Sequence, residues 1–139
     1  MARILIAEDE DAIRGLVARA LLQDGHDVMT AIDGAAAVDV LVHERGAFEL
    51  LLTDIRMPVM DGIALALVAA RDHPDITILL MTGYADQRER ASGLSTLIHD
   101  VITKPFTLAT IRAAVNAALV AGAQRRASRH HAPAGISSP

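Results

Sequence analysis

Leu51–Gly62, LLTDIRMPVMDG, brings an aliphatic run (Leu50, Leu51, Leu52) up against a carboxylate, Asp54, just ahead of a Met57-Pro58 turn. A lone buried charge is expensive, so Asp54 must either emerge at a rim or have cationic company. Working outward from this stretch, similar short apolar runs recur along the chain and alternate with longer segments of helical period. That alternation is the signature of a parallel sheet wrapped by helices, and it predicts an α/β fold.

Five strands are expected, at Arg3–Ala7, Asp27–Ala31, Glu49–Thr53, Thr77–Met81 and Ile98–Ile102. Helices are expected at Ala12–Gln23, Ala35–Arg45, Gly62–Arg71, Gln87–Ser95 and Leu108–Ala121. The last is the best marked, with Leu108, Ile111, Val115 and Leu119 three or four apart and Thr107 in place as an N-cap. The fourth is the weakest: DQRERASGLS is largely polar and holds Gly93, at a cost of about 1 kcal/mol relative to Ala. It is expected to be mobile.

At 139 residues the chain has room for one domain with a real core. Hydrophobic residues make up 52% and aromatics 2%, so Ala, Leu, Val and Ile must fill that core and few rings are left to stack on bases. Without cysteine there are no disulfides, thiolate metal sites or Cys nucleophiles. The first apolar run, Ile4-Leu5-Ile6-Ala7, stops at Glu8-Asp9-Glu10-Asp11, too soon for a signal peptide or a membrane span. A cytoplasmic protein with no membrane partner is the simplest expectation.

The net charge of -4 is unevenly spread. From Ala121 to Pro139 there are three arginines, Arg125, Arg126 and Arg129, and no acid; setting those three aside leaves 10 basic side chains against 17 acidic. Such a body matches the phosphate backbone of nucleic acid poorly, so nucleic acid is not an expected partner. The segment RRASRHHAPAGISSP is rich in Ala, Ser, Pro and Gly and reads as a disordered extension. The expected organisation is one domain over residues 1–121 with a tail over 122–139. His26, His43, His73 and His99 are scattered and His130-His131 lies in the tail, a spacing unlike that of a structural zinc site.

Four of the five apolar runs end in chemistry. Glu8 and Asp9 follow the first, Asp54 the third, Thr82 the fourth and Lys104 the fifth. In an open parallel sheet the carboxyl ends of the strands share one edge, where ligand crevices open. Asp54 therefore need not be buried alone, because Lys104 can balance it. Three carboxylates still exceed one ammonium, and a divalent cation can offset the rest. Mg²⁺ is a hard cation that takes carboxylate, water and phosphate oxygens. Beside such a cation Asp54 could act as a nucleophile toward phosphorus, giving an acyl phosphate. Lys104 and the metal would offset the charge on the transferring group, Thr82 would donate a hydrogen bond to it, and Gly83 would leave room beside it. Each piece alone has a plainer reading: acids after a strand cap the next helix, Thr82 is a turn residue, and Lys104-Pro105 ends a strand. Their joint occurrence in this order argues for the site.

The motifs AED, LLTDIRMPVMDG, LLMTGYA and ITKPF resemble those of the receiver domains of two-component response regulators, the CheY-like family, over about residues 2–120. The resemblance implies a flavodoxin-like (βα)5 three-layer sandwich with a parallel sheet of order 2-1-3-4-5. It implies that Asp54 receives a phosphoryl group from a histidine kinase or histidine phosphotransferase. Glu8, Asp9, Asp54 and the backbone carbonyl of Arg56 would hold Mg²⁺, Thr82 and Lys104 would contact the phosphoryl oxygens, and Lys104-Pro105 would be cis. In the family an aromatic residue near the end of the fifth strand turns inward on activation, and here Val101 holds that position. Arg56 and Tyr84 stand where the family tunes attack of water on the acyl phosphate.

Within the family, LLLTDIRMPVMDGIALALVAARDHP, ILLMTGYADQRERA and LIHDVITKPF are most similar to the CpdR type of single-domain response regulator. That resemblance implies a phosphorylation-controlled adaptor that delivers substrates to the ClpXP protease when unphosphorylated. Two other functions share the same chemistry. One is a phosphorelay intermediate passing its phosphoryl group to another histidine phosphotransfer protein. The other is an Asp-nucleophile phosphatase, for which no cap domain is evident and no second acid follows Asp54 before Asp61.

Overall fold

The computed structural model describes the backbone of residues 1–136 and the side chains of residues 1–129 other than Asp86. Strands and helices alternate throughout: β1 (Arg3–Ala7), α1 (Asp11–Gln23), β2 (Asp27–Ala31), α2 (Gly34–His43), β3 (Leu50–Asp54), α3 (Gly62–Asp72), β4 (Thr77–Thr82), α4 (Ala85–Ser92), β5 (Asp100–Thr103) and α5 (Leu108–Ile136). Every strand pairing is parallel and the spatial order is β2-β1-β3-β4-β5. This is the expected flavodoxin-like (βα)5 sheet.

The aliphatic runs are continuous because both faces of the central strands are covered. Side chains alternate across a strand, so Ile4 and Ile6 of β1, Leu50 and Leu52 of β3, and Leu79 and Met81 of β4 enter one core with Val17 and Leu21 of α1 and Ile111, Val115 and Ala118 of α5. Leu5, Leu51, Ile78 and Leu80 enter the other, with Ala37 and Leu41 of α2, Leu65, Ala66 and Ala69 of α3, and Ala91 of α4. Alanine on α2 and α3 brings those helices close to the sheet. Full burial of a Leu or Ile contributes about 1.5–3 kcal/mol, so a nearly ring-free core suffices.

Expected boundaries shift by one or two residues in several elements, and most in the fourth helix and the fifth strand. The fourth helix starts at Ala85 and ends at Ser92, with Gly93 as its C-cap instead of an interior residue. The fifth strand begins at Asp100, although His99 already donates its backbone N–H to Ile78 O at 2.7 Å. Thr107 does cap the fifth helix, its hydroxyl accepting from Thr110 N at 3.1 Å.

A larger difference concerns the stretch after residue 121, expected to be disordered. Helix α5 continues to Ile136, and residues 137–139 lie outside the described residues. The arginines that suggested a solvated tail find partners at the amino end of β4. Arg125 donates to Thr77 Oγ1 at 3.0 Å, Arg126 to the Asp75 carbonyl at 3.1 Å, and Arg129 pairs with Asp75 at 2.8 Å. Gly122 permits this approach, since a Cβ there would lie 2.1 Å from Thr77 Oγ1.

The loop that follows β3 folds tightly onto the strand end. Ile55 and Met57 are buried, Gly62 N donates to Ile55 O at 2.7 Å, and the Asp61 carboxylate caps α3 through Ala64 N at 2.9 Å. A Cβ at Gly62 would meet the Asp54 carbonyl at 2.0 Å. Val59 sits at φ +68 with its side chain exposed, a left-handed conformation that costs an L residue about 1–2 kcal/mol. Gly62→Ala should therefore lower stability by about 1–3 kcal/mol, and Val59→Gly should raise it by about 1 kcal/mol. Urea denaturation of the two variants beside the parent checks both signs.

Candidate functional site

Parallel pairing delivers the chemistry-bearing residues to one edge. Glu8 continues from β1, its N–H donating to Ala31 O of β2 at 3.1 Å, and Asp9 follows. Asp54 ends β3, Thr82 ends β4, and Lys104 is the first residue past β5, held there by its own N–H donating to Thr82 O at 2.7 Å. The Lys104-Pro105 peptide is cis.

Glu8 is fully buried and Asp54 is 5% exposed. Lys104 stands between them: Nζ lies 2.9 Å from Glu8 Oε1 and 3.3 Å from Asp54 Oδ2. The remaining carboxylate oxygens are also engaged, Glu8 Oε2 accepting from Glu10 N at 3.2 Å and Asp54 Oδ1 from Ile55 N at 3.0 Å. Asp9 is exposed, yet one carboxylate oxygen from each of Glu8, Asp9 and Asp54 lies within 4.8 Å of the others. Asp54 is thus both near the rim and in cationic company.

The electrostatics follow from that crowding. Burial, and then the charge of Asp54, outweigh the hydrogen bond from Lys104 and raise the Glu8 pKa from the usual 4.5 to about 7. Burial also raises Asp54, against the pull of Lys104. Burial disfavours the Lys104 ammonium, but its hydrogen bond to Glu8 and the two nearby carboxylates overcome this and hold its pKa above the usual lysine range. Three acids facing one ammonium leave surplus negative charge, and an all-oxygen donor set of this kind suits a hard divalent cation such as Mg²⁺.

Thr82 and Arg56 are placed less simply. The Thr82 hydroxyl donates to Gln87 Oε1 at 3.0 Å and accepts from Tyr84 N at 3.1 Å, so it is turned toward α4. Gln87, buried on an otherwise polar helix, is the residue that the sequence did not disclose. The Arg56 guanidinium lies over the Tyr84 ring, 4.9 Å from its centroid, joining the β3–α3 and β4–α4 loops across the mouth of the crevice. Gly83 leaves open space, the nearest atom to a Cβ there being Lys104 Cβ at 3.7 Å.

Comparison with known proteins supplies the family. The response regulator receiver domain family matches residues 4–116. The response regulator receiver protein CpdR of Brucella abortus is 41% identical over 108 residues, covering 78% of this chain and 88% of that protein. The sensor kinase CckA of the same organism is 33% identical over 107 residues, which are 77% of this chain but 11% of the kinase. Among solved structures, the response regulator TrrA of Thermotoga maritima in complex with Mg²⁺-BeF is 29% identical with a TM-score of 0.74, covering 85% of this chain and 99% of that one.

The raised carboxyl pKa values set a pH dependence. Without metal, the folded protein retains protons at Glu8 and Asp54 that the unfolded chain has released, so this contribution is full below the ordinary carboxyl range and is lost as pH rises through about 7. The metal-free melting temperature should fall between about pH 5 and 8. Glu8→Gln should flatten that profile and raise the value at the alkaline end. Differential scanning calorimetry in chelator checks both.

Proposed function

Because the chain belongs to the response regulator receiver domain family, we propose that it is a phosphorylation-controlled interaction module whose phosphoacceptor is Asp54. The observation that carries this reading is the Lys104 ammonium shared between two buried carboxylates, with the third carboxylate within reach. Glu8, Asp9, Asp54 and the backbone carbonyl of Arg56 would hold Mg²⁺. When bound, that ion supplies charge neutralisation for the transferring group.

The donor is a phosphohistidine on a histidine kinase or histidine phosphotransferase. An Asp54 carboxylate oxygen forms the new O–P bond while the P–N bond breaks and its electron pair stays on the imidazole nitrogen. Lys104 stabilises negative charge on the phosphoryl oxygens, and it is oriented for this by Glu8. Thr82 donates to a phosphoryl oxygen after its hydroxyl leaves α4. The acyl phosphate carries about -1.5 to -2 charge where the free carboxylate carried -1, and its three oxygens bring that charge into a crevice that already repels it, which drives the change of conformation. The protein acts on its own aspartate and turns over no separate substrate.

Downstream, the 41% identity to CpdR across most of that protein supports an adaptor role, in which the unphosphorylated form delivers substrates to ClpXP and phosphorylation withdraws them. A phosphorelay intermediate uses the same acceptor chemistry and is the second reading, supported by the match to a segment of a sensor kinase. Among the described residues no helix is long and apolar enough to cross a membrane, and the cytoplasm is the proposed location.

With acetyl phosphate and Mg²⁺, intact mass spectrometry should record one acid-labile phosphoryl group, absent in Asp54→Ala. Lys104→Ala should slow its formation by about 100-fold. Failure of the parent to gain that group would overturn the reading. For the adaptor role, capture of the protease should weaken by about 5- to 150-fold when beryllofluoride and Mg²⁺ are added, and it should be indifferent to them in Asp54→Ala. A relay intermediate would instead return its phosphoryl group to a histidine protein without altering capture.

A further inference from the structure

Helix α4, ADQRERAS, offers the sheet almost nothing apolar, and among its described residues Gln87 and Ala91 alone are buried. They lie four apart and so share the inward face. Ala91 packs in the core shared by α2 and α3, whereas Gln87 brings a carboxamide into a place where an aliphatic side chain would be easier to bury. Its partner is the Thr82 hydroxyl, which donates to Gln87 Oε1 at 3.0 Å. The alternative acceptor, the Tyr84 carbonyl, lies farther away at 3.3 Å.

A hydroxyl has a single proton to donate. While the Thr82 proton is committed to Gln87 it is unavailable to an oxygen in the Asp54 crevice. We propose that Gln87 is a latch: it holds the Thr82 hydroxyl in the resting state, and phosphoryl binding must break this bond, which frees the first turn of α4. This inference rests on the reading of Asp54 as phosphoacceptor. Once Thr82 turns away, Gln87 Oε1 is a buried acceptor without a donor, a costly state that is relieved when α4 shifts and lets the carboxamide reach water. The helix thus responds to Asp54 without touching it. Among the described side chains its other hydrogen-bond ties, Arg90 to Asp61 at 3.2 Å and Arg88 to Thr103 and to the Val101 carbonyl at 3.5 Å, are exposed and offer little resistance. Gln87 acts through Thr82 and is a positioning residue.

Tyr84 is the sole tyrosine and lies beside Thr82, so its fluorescence reports binding of beryllofluoride with Mg²⁺. Gln87→Leu removes the acceptor and should tighten that binding by about 3- to 10-fold. Gln87→Met, similar in length, should repeat the result if the leucine variant folds poorly. Gln87→Glu offers a stronger acceptor and should weaken binding by a similar factor. A role confined to packing would shift all three in one direction. Each change should vanish in a Thr82→Ala background, where there is no hydroxyl to hold. In metal-free protein, amide hydrogen exchange within α4 should speed up in Gln87→Leu and slow down in Gln87→Glu. The latch is overturned if the parent binds beryllofluoride while Gln87→Leu and Gln87→Met bind no more tightly, or if their gain persists without the Thr82 hydroxyl. A parent that does not bind beryllofluoride overturns the phosphoacceptor reading, and the latch with it, so the two failures are distinct.

Discussion

The crevice depends on one ammonium placed between two buried carboxylates. Lys104 is attached after β5, an edge strand, while Glu8 follows β1 and Asp54 ends β3. Strands lie about 4.8 Å apart, so Lys104 must reach across β4 and β3 to touch Glu8. A long unbranched side chain can do this, and the sheet's twist helps by bringing the strand ends over the crevice. Burying two acids without that cation would leave uncompensated charge in a poorly solvated place. The sheet order, the hydrogen bond from Lys104 N to Thr82 O and the tight loop after Asp54 all serve to bring those three groups together.

The same crowding prepares the site for change. Two carboxylates raised in pKa and a third nearby form a cluster that would gain from added positive charge, the charge that a hard divalent cation supplies. In the proposed mechanism a phosphoryl group on Asp54 would add negative charge at the most crowded point and call on the nearest donors. Lys104 is already there. Thr82 is one strand away from Asp54 and committed elsewhere, so under the proposed mechanism drawing Thr82 inward would carry the signal outward to α4. An ion pair that stabilises the resting crevice and a hydroxyl that is not yet in it together make two conformations accessible to one chain.

Much of this was legible in the sequence, for definite reasons. A strand buried on both faces reads as a nearly continuous aliphatic run, so Leu50, Leu51 and Leu52 announce β3, and an acid or Lys closely following such a run lies toward the sheet edge. Glu8, Asp9, Asp54 and Lys104 were found in that way and converge as expected. The extension of α5 was hidden because Arg125, Arg126 and Arg129 look like solvated charges until β4 brings Asp75 and Thr77 beneath them. Gln87 was hidden for the opposite reason. It is surrounded by charged residues of the same helix, and polar sequence gives no sign that one member faces inward. The stacking of Arg56 on Tyr84 joins two loops distant in sequence, a contact that no local pattern encodes.

The central claim is that groups at the ends of β1, β3, β4 and β5 share one crevice, in which Glu8, Asp9 and Asp54 would hold a single divalent ion beside Thr82 and Lys104. Manganese titrated into isotope-labelled protein tests this by broadening the amide resonances of residues near the metal. If the account is right, signals from Glu8 to Glu10, Asp54 to Met57 and Thr82 to Tyr84, together with Lys104, fade together at one stoichiometric equivalent, and Asp54→Ala abolishes the effect. Broadening confined to one of these segments, or scattered over the acidic surface with no dependence on Asp54, would contradict it.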